Sequence, residues 1–147
     1  MKKRILSLAL SAAMALTMLP TGAFAASDKG KPPVYNKATG CYEISTPDQL
    51  LYLSGSWKDG APRDGHYVLT ADIDMSGIKG FKPIASKKDQ GFTGTFDGQF
   101  HAIKGLRVEY EKKYAGLFGY VGNQDDQAYI KDVALLDCYV TGQQNVG

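Results

Sequence analysis

The sequence predicts an all-β chain built as a short solenoid, with an N-terminal hairpin and one capping helix. Three observations carry this. Helix signals occur only around Thr46 to Ser56. Beyond Gly60 the chain is a series of short apolar runs bounded by glycine. Two elements of those runs recur in the same order. The 147 residues are 44% hydrophobic and 22% charged, which excludes a polytopic membrane protein and a fully disordered chain.

Residues 1–25 read as a secretory signal peptide. Met1-Lys2-Lys3-Arg4 is a basic start, Ile5 to Leu19 is an uncharged apolar stretch, and Ala23-Phe24-Ala25 is a small-x-small cleavage pattern. The stretch is short for a membrane span of about 20 residues. No cysteine follows the cleavage pattern to carry a lipid. The formal charge of +2 falls to −1 once the three basic residues of the signal are removed, leaving 14 basic and 15 acidic residues. That balance gives no electrostatic footprint for nucleic acid or an anionic membrane.

Residues 26–33 are polar with a proline pair, and are expected to form a flexible leader. Val34–Asn36 and Cys41–Ile44 flank a turn ending in Gly40, a hairpin pattern. Thr46-Pro47-Asp48-Gln49 is a capping box with proline at the first helical position. Leu50, Leu51, Leu53 and Trp57 then give an apolar face, so a helix is expected from Pro47 to about Ser56. Hairpin and helix together occupy 34–60. Strands are expected within His66–Met75, Phe92–Phe96, Phe100–Tyr110, Gly116–Val121 and Ala128–Thr141.

The recurring elements set the solenoid at 61–147. Gly94-Thr95-Phe96 and Gly116-Leu117-Phe118 lie 22 residues apart. Ile103-Lys104-Gly105-Leu106 and Ile130-Lys131-Asp132-Val133 lie 27 apart, with a polar insertion at 122–127. Val68-x-x-Ala71-x-Ile73 is a fainter earlier copy. A unit of this size matches one solenoid coil, with alternate apolar residues inward and glycine at corners. Open coil ends need caps, and the helix stands where it can cover the first coil. At the other end Val146-Gly147 stands where Ala115-Gly116 stands in the preceding unit, so the array is expected to be C-terminally incomplete.

These residues also resemble a known group. The run from Gly94 to Leu106, Gly116-Leu117-Phe118-Gly119-Tyr120-Val121, Thr70 to Gly77, and Ile44 to Leu50 resemble, in order, the signatures of exported bacterial surface proteins with GLUG-motif repeats. Similar repeats precede the catalytic part of immunoglobulin-A-cleaving metallopeptidases. The resemblance covers about residues 42–147 and implies a right-handed parallel β-helix on secreted or surface-attached proteins. The sequence departs from the pattern at Phe100, where the family has glycine before His101.

No residue is assigned a catalytic, cofactor-binding or metal-binding role. Asp72-Ile73-Asp74-Met75-Ser76-Gly77 matches the first half of a calcium loop, but the twelfth position is Pro83 where an acid is required. Ile73 and Met75 are expected inward, and Asp72 and Asp74 outward or capping a turn. Asp125 and Asp126 are expected to be solvated. A lyase site would need acids beside an outward Arg or Lys, and Arg107 has no carboxylate cluster in its strand. His66 and His101 are isolated, and His101 is expected to hydrogen-bond across a turn. Cys41 and Cys138 allow one disulfide but do not require it. Phe96 and Phe118 are expected in the core, while Tyr110, Tyr114, Tyr120 and Tyr139 are candidates for sugar or protein contact.

The function expected from these features is a secreted or surface non-catalytic module for adhesion, binding or spacing. The alternative is the N-terminal non-catalytic region of an exported metallopeptidase or glycan-active enzyme. Expected partners are a protein or glycan ligand and further repeats of a longer chain. No nucleic acid, no membrane insertion after signal removal and no cofactor are expected.

Overall fold

The structure is a computed structural model that describes residues 30–55, 61–123 and 125–147. The proposed signal, the start of the leader, and Ser56 to Gly60 with Trp57 lie outside the described residues. Within them the chain is all-β with one short helix.

The hairpin forms as the alternation predicts. β1 (Val34–Asn36) pairs antiparallel with β2 (Cys41–Ile44). Gly40 closes the turn at φ +71°, and its amide donates to the Asn36 carbonyl at 2.8 Å. Helix α1 (Pro47–Tyr52) starts on the predicted box: the Gln49 amide donates to Thr46 Oγ1, while Gln49 Oε1 accepts from the Thr46 and Ser45 amides. It stops short of Ser56. The chain leaves the helix because Ser54 and Gly55 bridge to Ile84, and Gly55 takes φ +86°, which a helix does not allow.

The remaining strands are β3 (His66–Leu69), β4 (Ile73–Asp74), β5 (Thr95–Asp97), β6 (Ala102–Lys104), β7 (Arg107–Ala115), β8 (Tyr129–Lys131), β9 (Ala134–Leu136) and β10 (Tyr139–Val146). Among the described residues three sheets result, with orders β1-β2-β3-β5-β8, β4-β6-β9 and β7-β10. Apart from the hairpin, every strand pair is parallel. Successive passes of the chain visit the sheets in one order: β3 then β4, β5 then β6 then β7, β8 then β9 then β10. Phe81 adds a parallel bridge to Val108.

The register differs from the one the recurring elements suggest. Ile103 lies between Ile73 and Leu135, whereas Ile130 pairs with Phe96 in a different sheet. Gly94-Thr95-Phe96 and Gly116-Leu117-Phe118 belong to one pass, with Phe96 and Phe118 in edge-to-face contact at 5.4 Å. Each pass therefore takes about 25 to 34 residues, from Tyr42 opposite Tyr67 to Thr95 opposite Tyr129. The faint copy shifts likewise, since Ile73 aligns with Ile103 and not with Val108. The expected alignment of Val146 with Ala115 is present in the β7–β10 ladder.

The core is a set of like positions laid over one another. Ile44 and Leu69, Tyr67 and Phe96, and Ile73 and Ile103 are fully buried partners in register. An aromatic chain runs into it from exposed Tyr35 through Tyr42, Tyr67 and Phe92 to Phe118, with ring centroids 4.9 to 6.1 Å apart. Neighbouring passes touch backbone to backbone at Gly94, where a Cβ would collide with the Gly65 carbonyl. The last pass is less covered: Ile130, Leu135 and Val146 occupy core rows yet are 39%, 45% and 48% exposed.

Candidate functional site

Two clusters of charge sit on this frame. The first links passes. Asp72 Oδ1 accepts from the Ala102 amide at 3.1 Å, and Oδ2 accepts from Lys104 Nζ at 2.7 Å. His101 Nδ1 lies 3.3 Å from Asp72 Oδ1. The Lys104 hydrogen bond, then the Ala102 amide, hold the Asp72 carboxyl down at about 2, and Asp72 raises Lys104 in return. One pass on, Asp97 Oδ2 accepts from Lys131 Nζ at 2.8 Å and from Gln99 Nε2, and its carboxyl is likewise lowered, first by Lys131. His101 thus closes a local turn through its amide, which donates to the Gly98 carbonyl at 2.8 Å, while its ring reaches across passes to Asp72. Both Asp72 oxygens are engaged within the protein, and Asp74 caps its own turn by accepting from the Ser76 amide at 3.0 Å. Ile73 and Met75 are buried, as the alternation predicts.

The other singled-out residues are dispersed. Arg107 points outward, pairs with Glu109 at 2.6 Å and lies 4.6 Å over the Tyr139 ring. Tyr114 and Tyr120 pack together at 4.6 Å, while Tyr110 is half-buried against the core. His66, Asp125 and Asp126 are exposed. Cys41 and Cys138 are free thiols. Cys41 is in β2 and Cys138 is on the pass of β8, three ladder steps away. At about 4.8 Å per step that exceeds the roughly 7 Å Cα limit for a disulfide.

The second cluster is one the charge count misses. A groove on the side of the molecule is lined by Lys79, Lys82, Lys87 and Lys112, together with Tyr110 and Ser86. Its remaining walls come from α1, from Ser54–Gly55 and from Gly80, and among the described residues no acidic side chain lines it. Local bonds fix its floor. The Lys82 amide donates to Ser54 Oγ at 2.8 Å, the Gly55 amide to the Pro83 carbonyl, and the Ser86 amide to the Gly55 carbonyl, both at 3.2 Å. Gly80 turns the chain at φ +71° between Lys79 and Phe81, whose ring is buried. All four lysines are exposed, and none enters an ion pair among the described residues. Glu109 and Glu111 line a separate depression with Thr141. The sequence does carry a signal: Lys79, Lys82, Lys87 and Lys88 fall between Asp74 and Asp89 with no acid among them.

Comparison with known proteins gives a partial likeness. The chain is 34% identical over 116 residues to Halomucin of Haloquadratum walsbyi (strain DSM 16790 / HBSQ001), a match that covers 72% of this chain. The chain spans about 1% of the length of that protein. No family model matches the chain. No solved structure matches it either.

Proposed function

We propose that this chain is a secreted or cell-surface, non-catalytic β-solenoid module used for adhesion, binding or spacing. The observation that carries the reading is the repeated visit to the same three walls, in the same order, with parallel in-register pairing. The solenoid is a right-handed parallel β-helix, the hand that parallel crossovers overwhelmingly take. The hairpin and α1 cap its first coil. The likeness of residues 94–106 and 116–121 to GLUG repeats supports the same architecture. The apolar rows left open at Ile130, Leu135 and Val146 would be covered by a further coil.

A second reading has one observation in its favour. The stretch of likeness to Halomucin is a very small part of that protein. On this reading the chain is the N-terminal non-catalytic region of an exported metallopeptidase or glycan-active enzyme whose catalytic part is not in this chain.

Two experiments test the proposal. Protein recovered outside the cell should begin at Ala26 by N-terminal sequencing; recovery with Met1 intact contradicts the signal. Incubation with a panel of polysaccharides and proteins should give retention with no new chain ends. Cleavage that Lys104→Ala or Arg107→Ala abolishes contradicts a non-catalytic role.

A further inference from the structure

Among the described residues the groove gathers four lysines, in a chain whose charges are otherwise nearly balanced. Four ammonium groups lining one depression repel each other, and among the described residues no carboxylate lines the groove to offset this. A concave surface of one sign focuses its field outward and raises the local concentration of the opposite charge. The four come from separate segments, the loop at Lys79–Lys82, Lys87 and β7, so the clustering is made by the fold rather than by one basic run.

We propose that this groove binds an acidic polysaccharide, with Lys79, Lys82, Lys87 and Lys112 contacting its carboxylate or sulfate groups. Ammonium groups on flexible stems suit successive point charges along a polymer. Tyr110 supplies an aromatic surface in the same groove for a sugar ring. Ser86 adds a hydroxyl that can donate or accept. Nucleic acid fits less well, because a duplex or single strand calls for a longer basic track than one groove on a chain with net charge −1 after signal removal. The proposal deepens the reading of the chain as an exported binding module and rests on it.

The test uses the whole protein with polygalacturonate as the carboxylate polymer, dextran sulfate as the sulfate polymer, neutral dextran, and double-stranded DNA. Binding is followed by calorimetry at low and high salt. The expected result is binding to one or both acidic polymers and none to neutral dextran. Affinity should fall as salt screens the charges. Lys79→Glu with Lys82→Glu should weaken binding by about tenfold or more, as expected for reversing two close charges. Lys37→Glu, on the hairpin turn, should leave it unchanged. All three positions are exposed, and circular dichroism checks that each variant keeps the β spectrum. No binding by a protein with an intact β spectrum overturns the groove assignment and leaves the solenoid standing. Equal loss in the Lys37 variant, or tighter binding to DNA than to either acidic polymer, overturns it as well. New reducing ends in either polymer contradict the non-catalytic reading instead.

Discussion

Phe100 shows how a single residue departs from its surroundings. It sits at φ +62° with 87% of its surface exposed, held by its amide donating to the Asp132 carbonyl at 2.8 Å. A left-handed conformation costs an L-residue about 1 to 2 kcal/mol, which glycine avoids, while glycine gains some freedom in the unfolded chain. Phe100→Gly should therefore stabilise the protein by up to about 1 kcal/mol in urea unfolding. The carboxylates give a second test at this scale. The Asp72, Asp74 and Asp97 carboxyls are all lowered in the folded protein, Asp72 from 3.8 to about 2. Their contribution is complete above the unfolded value and is lost as pH falls through the folded one. The melting temperature should drop between about pH 4 and 2. Asp72→Asn should melt lower at pH 6 and show a smaller acid drop; an unchanged drop contradicts the role of the Asp72 bonds. At this scale the sequence was legible where alternation decides, as with buried Ile73 and Met75 beside outward Asp72 and Asp74. The lysine groove was hidden because net charge averages over the surface, and because Lys112 joins the others only through folding.

At the scale of elements, local chemistry carried well and register did not. Thr46 and Gln49 form the capping box their spacing predicts, and Thr46→Ala should cost about 1 kcal/mol in denaturant unfolding. A cost near zero would mean the cap is held by packing alone. The helix end was not legible, since it is set by a bridge to Ile84, which is remote in sequence. The 27-residue recurrence failed for a similar reason. Ile103-Lys104 and Ile130-Lys131 are both strand ends before a corner, with Gly105 at φ +63° and Asp132 at φ +52°. The motif records an inward Ile, an outward Lys and a turn. It does not record which wall the strand belongs to. Wall identity comes from the neighbour on the next pass, Leu135 for Ile103 and Phe96 for Ile130.

At the scale of the whole molecule, one arrangement sets the rest: the stacking of passes. Buried rows, the Asp72–Lys104 and Asp97–Lys131 links and the shape of the lysine groove all follow from one pass lying on the next in the stated register. The jump in exposure at the last pass, from 0% at Ile103 to 45% at Leu135, follows too, because a core row is covered only where a further pass lies over it. The most direct measurement is a set of backbone nuclear Overhauser contacts between strands in the labelled protein. Paired strands lie about 4.8 Å apart, well within reach of such contacts. This stacking should give cross-strand contacts from Ile103 to both Ile73 and Leu135, and from Phe96 to Ile130. Backbone contacts pairing Ile103 with Ile130 would contradict it.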